Sequence, residues 1–165
     1  LQSRGLGDVY KRQAGITRSL FYHYFARKED VTDAILDFYT EGFVAAIREW
    51  NEARTRLDVA GALRDCVKLL RELLFERDAF RELLLKDENA SLYLQFLQRA
   101  SEAIARYVTD STARDYARYH QIEIKHTYET FYLLVFGLIG FLRQHPDADD
   151  QVLEDLIADT LHLDL

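Results

Sequence analysis

Residues 14–30, AGITRSLFYHYFARKED, hold side chains whose types and spacing suit contact with a nucleic acid. Gly15 can take the positive φ of a tight turn. Thr17 is a good N-cap, its hydroxyl placed to accept from the backbone N–H of Ser19 or Leu20. A short helix from there to about Tyr24 puts Leu20, Phe21, Tyr24 and Phe25 on an inner side. Arg18, Ser19, Tyr22 and His23 are left outside, and all four can hydrogen-bond to DNA. Arg27 and Lys28 then open the next helix, where backbone N–H groups and a cation together suit a phosphate.

This stretch resembles the recognition-helix signature of the TetR/AcrR family of bacterial transcription regulators, commonly AGVS-x-G-T-L-Y-x-H-F-x-S-K-E-E. The glycine turn, cap, Tyr, Phe and Lys fall at the family spacing over these 17 residues, and the remainder is similar only in its helical character. The resemblance implies a homodimeric DNA-binding repressor whose C-terminal helices bind a small ligand. Carried over by position, it assigns Thr17, Tyr22 and Lys28 to phosphates, and Arg18, Ser19 and His23 to base edges. Leu20 replaces a small or hydroxyl residue, Tyr24 the usual His, and Arg27 a residue that would cap the next helix. These departures leave the operator sequence open.

A second set of chemically capable residues lies further on. His120, Glu123, His126 and Glu129 recur every three residues, which on a continuous helix places parts of the set on one face. Glu123-x-x-His126 is a pattern by which carboxylate-bridged di-iron bundles hold metal. Such a site needs a second copy and two further glutamates, and the nearest match, Asp159-x-x-His162, lies at the end of the sequence. A polar helix face or the lining of a ligand pocket is the commoner use, and neither a metal nor a cofactor is assigned. Aromatic residues are plentiful, with ten Tyr and ten Phe. Most belong to the core, but a buried tyrosine hydroxyl wants a partner. An apolar cavity with a few orienting groups is therefore expected in the helical body. Its candidate ligand contacts are Tyr93, Phe96, Tyr119, His120, His126, Tyr128 and Glu129, with Gln121 beside them. No Ser/His/Asp or Cys/His set and no phosphate-cradling glycine loop is visible, so no enzyme is expected.

The elements that must position these residues are helices. One Pro and seven Gly in 165 residues leave few breakers, and 48% hydrophobic residues suffice for a core. Apolar spacing predicts helices over 28 to about 50, 58–76, 78–86, 91–109, 113–144 and 147–163. The first would link head to body, as the resemblance implies. Thr112 with Asp115 resembles a capping box, and Pro146 ends the longest helix. From Tyr128 onward that helix is apolar on two faces: Phe131, Leu134, Leu138 and Phe141 on one, Tyr132, Val135, Ile139 and Leu142 on the other. A chain of this size covers one face itself, so the second is expected to meet a partner chain. The resemblance implies that two C-terminal helices pair with their symmetry mates as a four-helix bundle. Gly137 and Gly140 would admit a close helix, from within the subunit or from the partner.

The net charge of −7 is unevenly spread. Residues 1–30 hold six Lys/Arg against three acids, net +3, and the remainder 15 against 25, net −10. Such polarity presents one basic end to phosphate. The lone Cys66, among Leu63, Val67 and Leu70, allows no internal disulfide and reads as a buried structural thiol. The longest nearly unbroken apolar run, residues 131–142, is too short to span a bilayer, and no secretory pattern opens the sequence. A cytoplasmic protein without membrane association is expected. Residues 1–13, LQSRGLGDVYKRQ, read as linker-derived sequence ahead of a truncated head. They leave nothing to build a first helix, so Leu20, Phe21 and Phe25 would lack the other side of their small core. Residues 1–26 are then expected to be irregular, and the chain to bind DNA poorly unless a first helix precedes it.

The sequence therefore points to an all-α protein. A partial N-terminal helix-turn-helix head (residues 1–45) precedes a helical ligand-binding and dimerisation body (46–165). The expected function is a ligand-responsive DNA-binding transcription regulator, a repressor. It would act as a homodimer on a palindromic double-stranded operator and respond to a small hydrophobic or aromatic ligand. A metal-dependent, di-iron-like helical bundle and a body-only dimerisation or ligand-binding module are the alternatives.

Overall fold

A computed structural model describes residues 27–76, 86 and 89–165. Thr17, Arg18, Ser19, Tyr22 and His23, the side chain of Lys28, the small core of the head and most of the expected helix 78–86 lie outside the described residues. Among the described residues the protein is all-helical, without strands.

Helix α1 spans Lys28–Ala53. Arg27 offers no acceptor as a cap, and the return half of the motif does the work: Asp30 accepts from the Arg27 backbone N–H at 3.2 Å. Glu29 and Asp30 also put negative charge at the positive end of the helix dipole. Helix α2, Val59–Arg71, continues into a π-turn at Glu72–Glu76. Asp58 caps it, Oδ1 accepting from the Gly61 N–H at 2.8 Å. A Cβ on Gly61 would stand 2.1 Å from Asp58 Oδ2, so glycine gives the cap its room. Helices α3 (Ala90–Asp110), α4 (Thr112–Tyr116), α5 (Thr127–Gln144) and α6 (Asp150–Leu161) complete the order.

Helix α3 is central, packed against both α1 and α5. Its Phe96 and Ala100 are wholly buried, and Phe43 of α1 meets Phe96 edge-on with ring centroids 5.1 Å apart. Burying each such large apolar side chain contributes roughly 1.5–3 kcal/mol relative to exposure. A second cluster joins Leu63 and Val67 of α2 to Leu142 of α5 and to Leu153 and Ile157 of α6, and Leu70 and Leu74 pack against both clusters. Two arginines tie elements together across the surface. Arg71 reaches from α2 to the α5–α6 connection, donating to the carbonyls of Pro146 (2.8 Å) and Ala148 and to the Asp150 carboxylate. Arg99 of α3 donates to Asp33 and, at 2.8 Å, to Asp37 on α1.

The single helix expected over 113–144 is instead two helices with an irregular strap between them. After Tyr116 the chain unwinds, and residues 117–126 carry no regular element. Along the strap Gln121, Glu123 and Lys125 are exposed while Ile122 and Ile124 are half-buried. That is the two-residue alternation of extended chain, which a helical reading of the same stretch overrides. Nor do Thr112 and Asp115 form a capping box. The Thr112 hydroxyl donates to Asn51 Oδ1 at 2.8 Å, and Asp115 accepts from Arg54 at 2.8 Å. Helix α5 stops at His145, ahead of Pro146, as expected. Its two apolar faces differ from those assigned by spacing. Leu138 turns inward on the second cluster, and the outward face is Leu133, Gly137 and Phe141. Among the described residues no helix is long and apolar enough to cross a membrane.

Candidate ligand cavity

A cavity of about 190 Å³ lies where the ends of these helices meet. Helix α1 contributes Ile47 and Trp50; α2 contributes Leu63, Cys66 and Leu70; α3 contributes Ile104 and Val108. The opposite wall is Phe131, Leu134, Val135 and Leu138 of α5 with Ile157 and Leu161 of α6. Ile122 and Ile124 of the strap and Leu163 of the C-terminal tail cover it. These walls are almost wholly apolar because each helix turns its aliphatic stripe inward at a place where the stripes do not interdigitate.

Several polar groups at and beside the wall are hydrogen-bonded. Trp50 Nε1–H donates to the Ala62 carbonyl at 2.9 Å, binding α1 to α2. Asn51 gathers the end of α1, donating to the Tyr107 hydroxyl at 3.2 Å while its Oδ1 accepts from Arg54 at 3.0 Å and from Thr112. Tyr116 holds both covers. Its ring stacks on His120 of the strap with centroids 4.4 Å apart, and its hydroxyl accepts from the Asp164 backbone N–H at 3.1 Å. The tail reaches it because His162 adopts a left-handed turn (φ 49°), returning the Leu163 N–H to the Ala158 carbonyl at 3.0 Å. Burial pushes the Cys66 thiol up to about 12, so at neutral pH it is an uncharged wall group.

One end of the cavity is charged. The exposed lining residues are Thr55, Arg56 and Asp58, on the connection between α1 and α2. There Arg54, only 8% exposed in its side chain, pairs with Asp115 at 2.8 Å, and Arg56 and Arg118 approach the same carboxylate at 3.8 Å.

None of the seven candidate ligand residues lines this cavity. Phe96 is buried in the main core, and Tyr93 packs on that core beneath the Arg143 guanidinium, 3.8 Å from its ring. Burial raises the Tyr93 hydroxyl above its ordinary range, which Arg143 partly offsets. Tyr119 is exposed, and His120 is half-buried behind Tyr116, its Nδ1 3.9 Å from Asp164. His126 is the exposed N-cap of α5, Glu129 is exposed in its first turn, and Tyr128 leans on Tyr132 with centroids 6.3 Å apart. The Glu123-x-x-His126 pattern fails as a helix face, since both residues precede α5 and both are exposed. The expectation rested on the polar tips of tyrosines, whereas the wall is mainly aliphatic, with Trp50, Tyr116 and Phe131 as its aromatic members. The signal for part of it was Ile122 and Ile124, two β-branched residues in strict alternation with polar ones.

No family model, curated protein or solved structure matches this chain.

Proposed function

We propose that this chain belongs to a cytoplasmic, homodimeric, ligand-responsive DNA-binding transcription regulator, a repressor, in which the cavity is the effector site. The observation that carries the reading is the path of α1. It begins at Lys28, within the last residues of the 14–30 motif, and its far end forms cavity wall through Ile47 and Trp50. Nineteen residues of helix separate Lys28 from Ile47, about 28 Å at 1.5 Å per residue. A tilt of about five degrees at the cavity thus moves the head by roughly 2–3 Å. Two heads set one DNA turn apart would lose simultaneous seating in successive major grooves. The ligand acts only through its preference for the tilted state.

The support for a homodimer is an outward apolar stripe. Leu133 is 69% exposed on α5, with Phe141 about two turns further along the same face, and Val152 and Leu156 are each 47% exposed on α6. A Cβ at Gly137 or Gly140 would meet nothing within 4 Å, so neither glycine is spent on packing inside the subunit. Both are available to a partner's helix.

Selection of duplexes from a random library tests the proposal: a palindromic sequence bound by two chains is expected. Lys28→Ala should weaken all duplexes alike and flatten the salt dependence by roughly one charge. Enrichment of no sequence, with the head completed by a preceding helix, would contradict the reading.

A further inference from the structure

The charge at the cavity mouth selects among apolar ligands. Arg54 and Arg56 belong to the wall, and Arg118 stands beside them at the start of the strap. All three converge on one carboxylate, Asp115. Arg54 is committed, donating to Asp115 and to Asn51 from a nearly buried position. Arg56 and Arg118 are not held in that way: they reach Asp115 only at 3.8 Å, and their side chains are 61% and 68% exposed. The other acid of the rim, Asp58, gives one oxygen to the cap of α2. The exposed guanidinium groups of Arg56 and Arg118 thus stand at the rim with no close carboxylate partner, in a segment, residues 31–165, that is strongly acidic as a whole.

Behind this rim the wall is mostly apolar. The Trp50 N–H is engaged, the Thr112 and Tyr116 hydroxyls each already hold one hydrogen bond, and burying a polar group without a partner is costly. An apolar cavity of about 150 Å³ admits benzene, so one slightly larger takes a body of about six to eight carbons. We infer that the cavity takes an organic monoanion, its apolar body inside and its carboxylate at the mouth on Arg56 with Arg118 beside it. The guanidinium fork fits the planar oxygens of a carboxylate. A dianion would leave charge uncompensated against apolar walls. The inference rests on the cavity being a ligand site and adds the ligand's charge, size and anchor.

Trp50 is the chain's single tryptophan and part of the wall, so its fluorescence reports occupancy. Titration of the chain, without DNA, with octanoate, octan-1-ol and octylamine should give binding in that order. Octanoate should be about tenfold tighter than the alcohol, the worth of one charge-assisted hydrogen bond. Arg56→Gln, at an exposed position, should bring octanoate to within about threefold of the alcohol while leaving the alcohol unchanged. Equal or tighter binding of the alcohol or amine, an unchanged ratio in Arg56→Gln, or no Trp50 response to any of the three would overturn the inference. The two readings fail separately. Octanoate binding that depends on Arg56 but never alters DNA binding would sink the regulator alone; DNA release by octanol and not by octanoate would sink the monoanion alone.

Discussion

Cys66 turns a thiol toward the cavity that burial keeps protonated to about pH 12, against an ordinary value of 9.0. In the unfolded chain the proton leaves near 9, whereas the folded protein must hold it. Stability from this group is therefore complete below pH 9 and is lost as pH rises from 9 to about 12. Cys66→Ala should flatten that alkaline decline in a denaturation series against pH, and native Cys66 should alkylate far more slowly at pH 8 than in denaturant. Equal rates would place the thiol in water. Asp58 and Gly61 form a second residue-scale unit. Asp58→Ala should cost about 1 kcal/mol, the usual worth of an N-cap. Gly61→Ala should cost a similar amount, because its Cβ displaces the same carboxylate, and the double variant should be little worse than either. Additive losses in urea melts would show two separate roles. Asp58 was legible as a helix start from its type and place. The cavity wall was not, since its residues come from distant segments and share only apolar character.

At the scale of elements, helix existence followed from apolar spacing, and α1, α2, α3 and α6 lie within a few residues of their expected bounds. The misread element is the strap. Neither Gly nor Pro marks residues 117–126, and the three-residue recurrence of His120, Glu123, His126 and Glu129 imitates a helix face. What breaks the helix is the inward demand of Ile122 and Ile124 over an apolar hollow, together with Tyr116 holding His120. The interface prediction also belongs here. Leu133→Glu or Phe141→Glu should halve the mass seen by light scattering and leave the fold intact, because both side chains face outward. Leu138→Glu should unfold the body instead, since that residue packs on the second cluster. A dimer persisting through both outward variants would put the interface elsewhere.

Taken as a whole, the sequence is basic over residues 1–30 (net +3) and acidic over the rest (net −10), and α1 runs from Lys28 to the cavity wall at Ile47 and Trp50. In the proposed regulator, coupling of cavity to DNA is bounded by arithmetic: a ligand that prefers the tilted state tenfold shifts the equilibrium by about 1.4 kcal/mol and no more. The all-helical class was legible in composition and periodicity, and the expected cavity exists with other lining residues than those named from the sequence; the motif's DNA-contact candidates lie outside the described residues. The direct test is fluorescence anisotropy of a selected palindromic duplex. It would use a chain with a complete first helix ahead of residue 14, titrated with and without saturating octanoate. The Kd for DNA should rise at least about tenfold with octanoate, and Arg56→Gln should raise the octanoate concentration needed for that rise by about threefold. Selective DNA binding whose Kd is the same with the cavity filled, as shown by Trp50, would contradict the account.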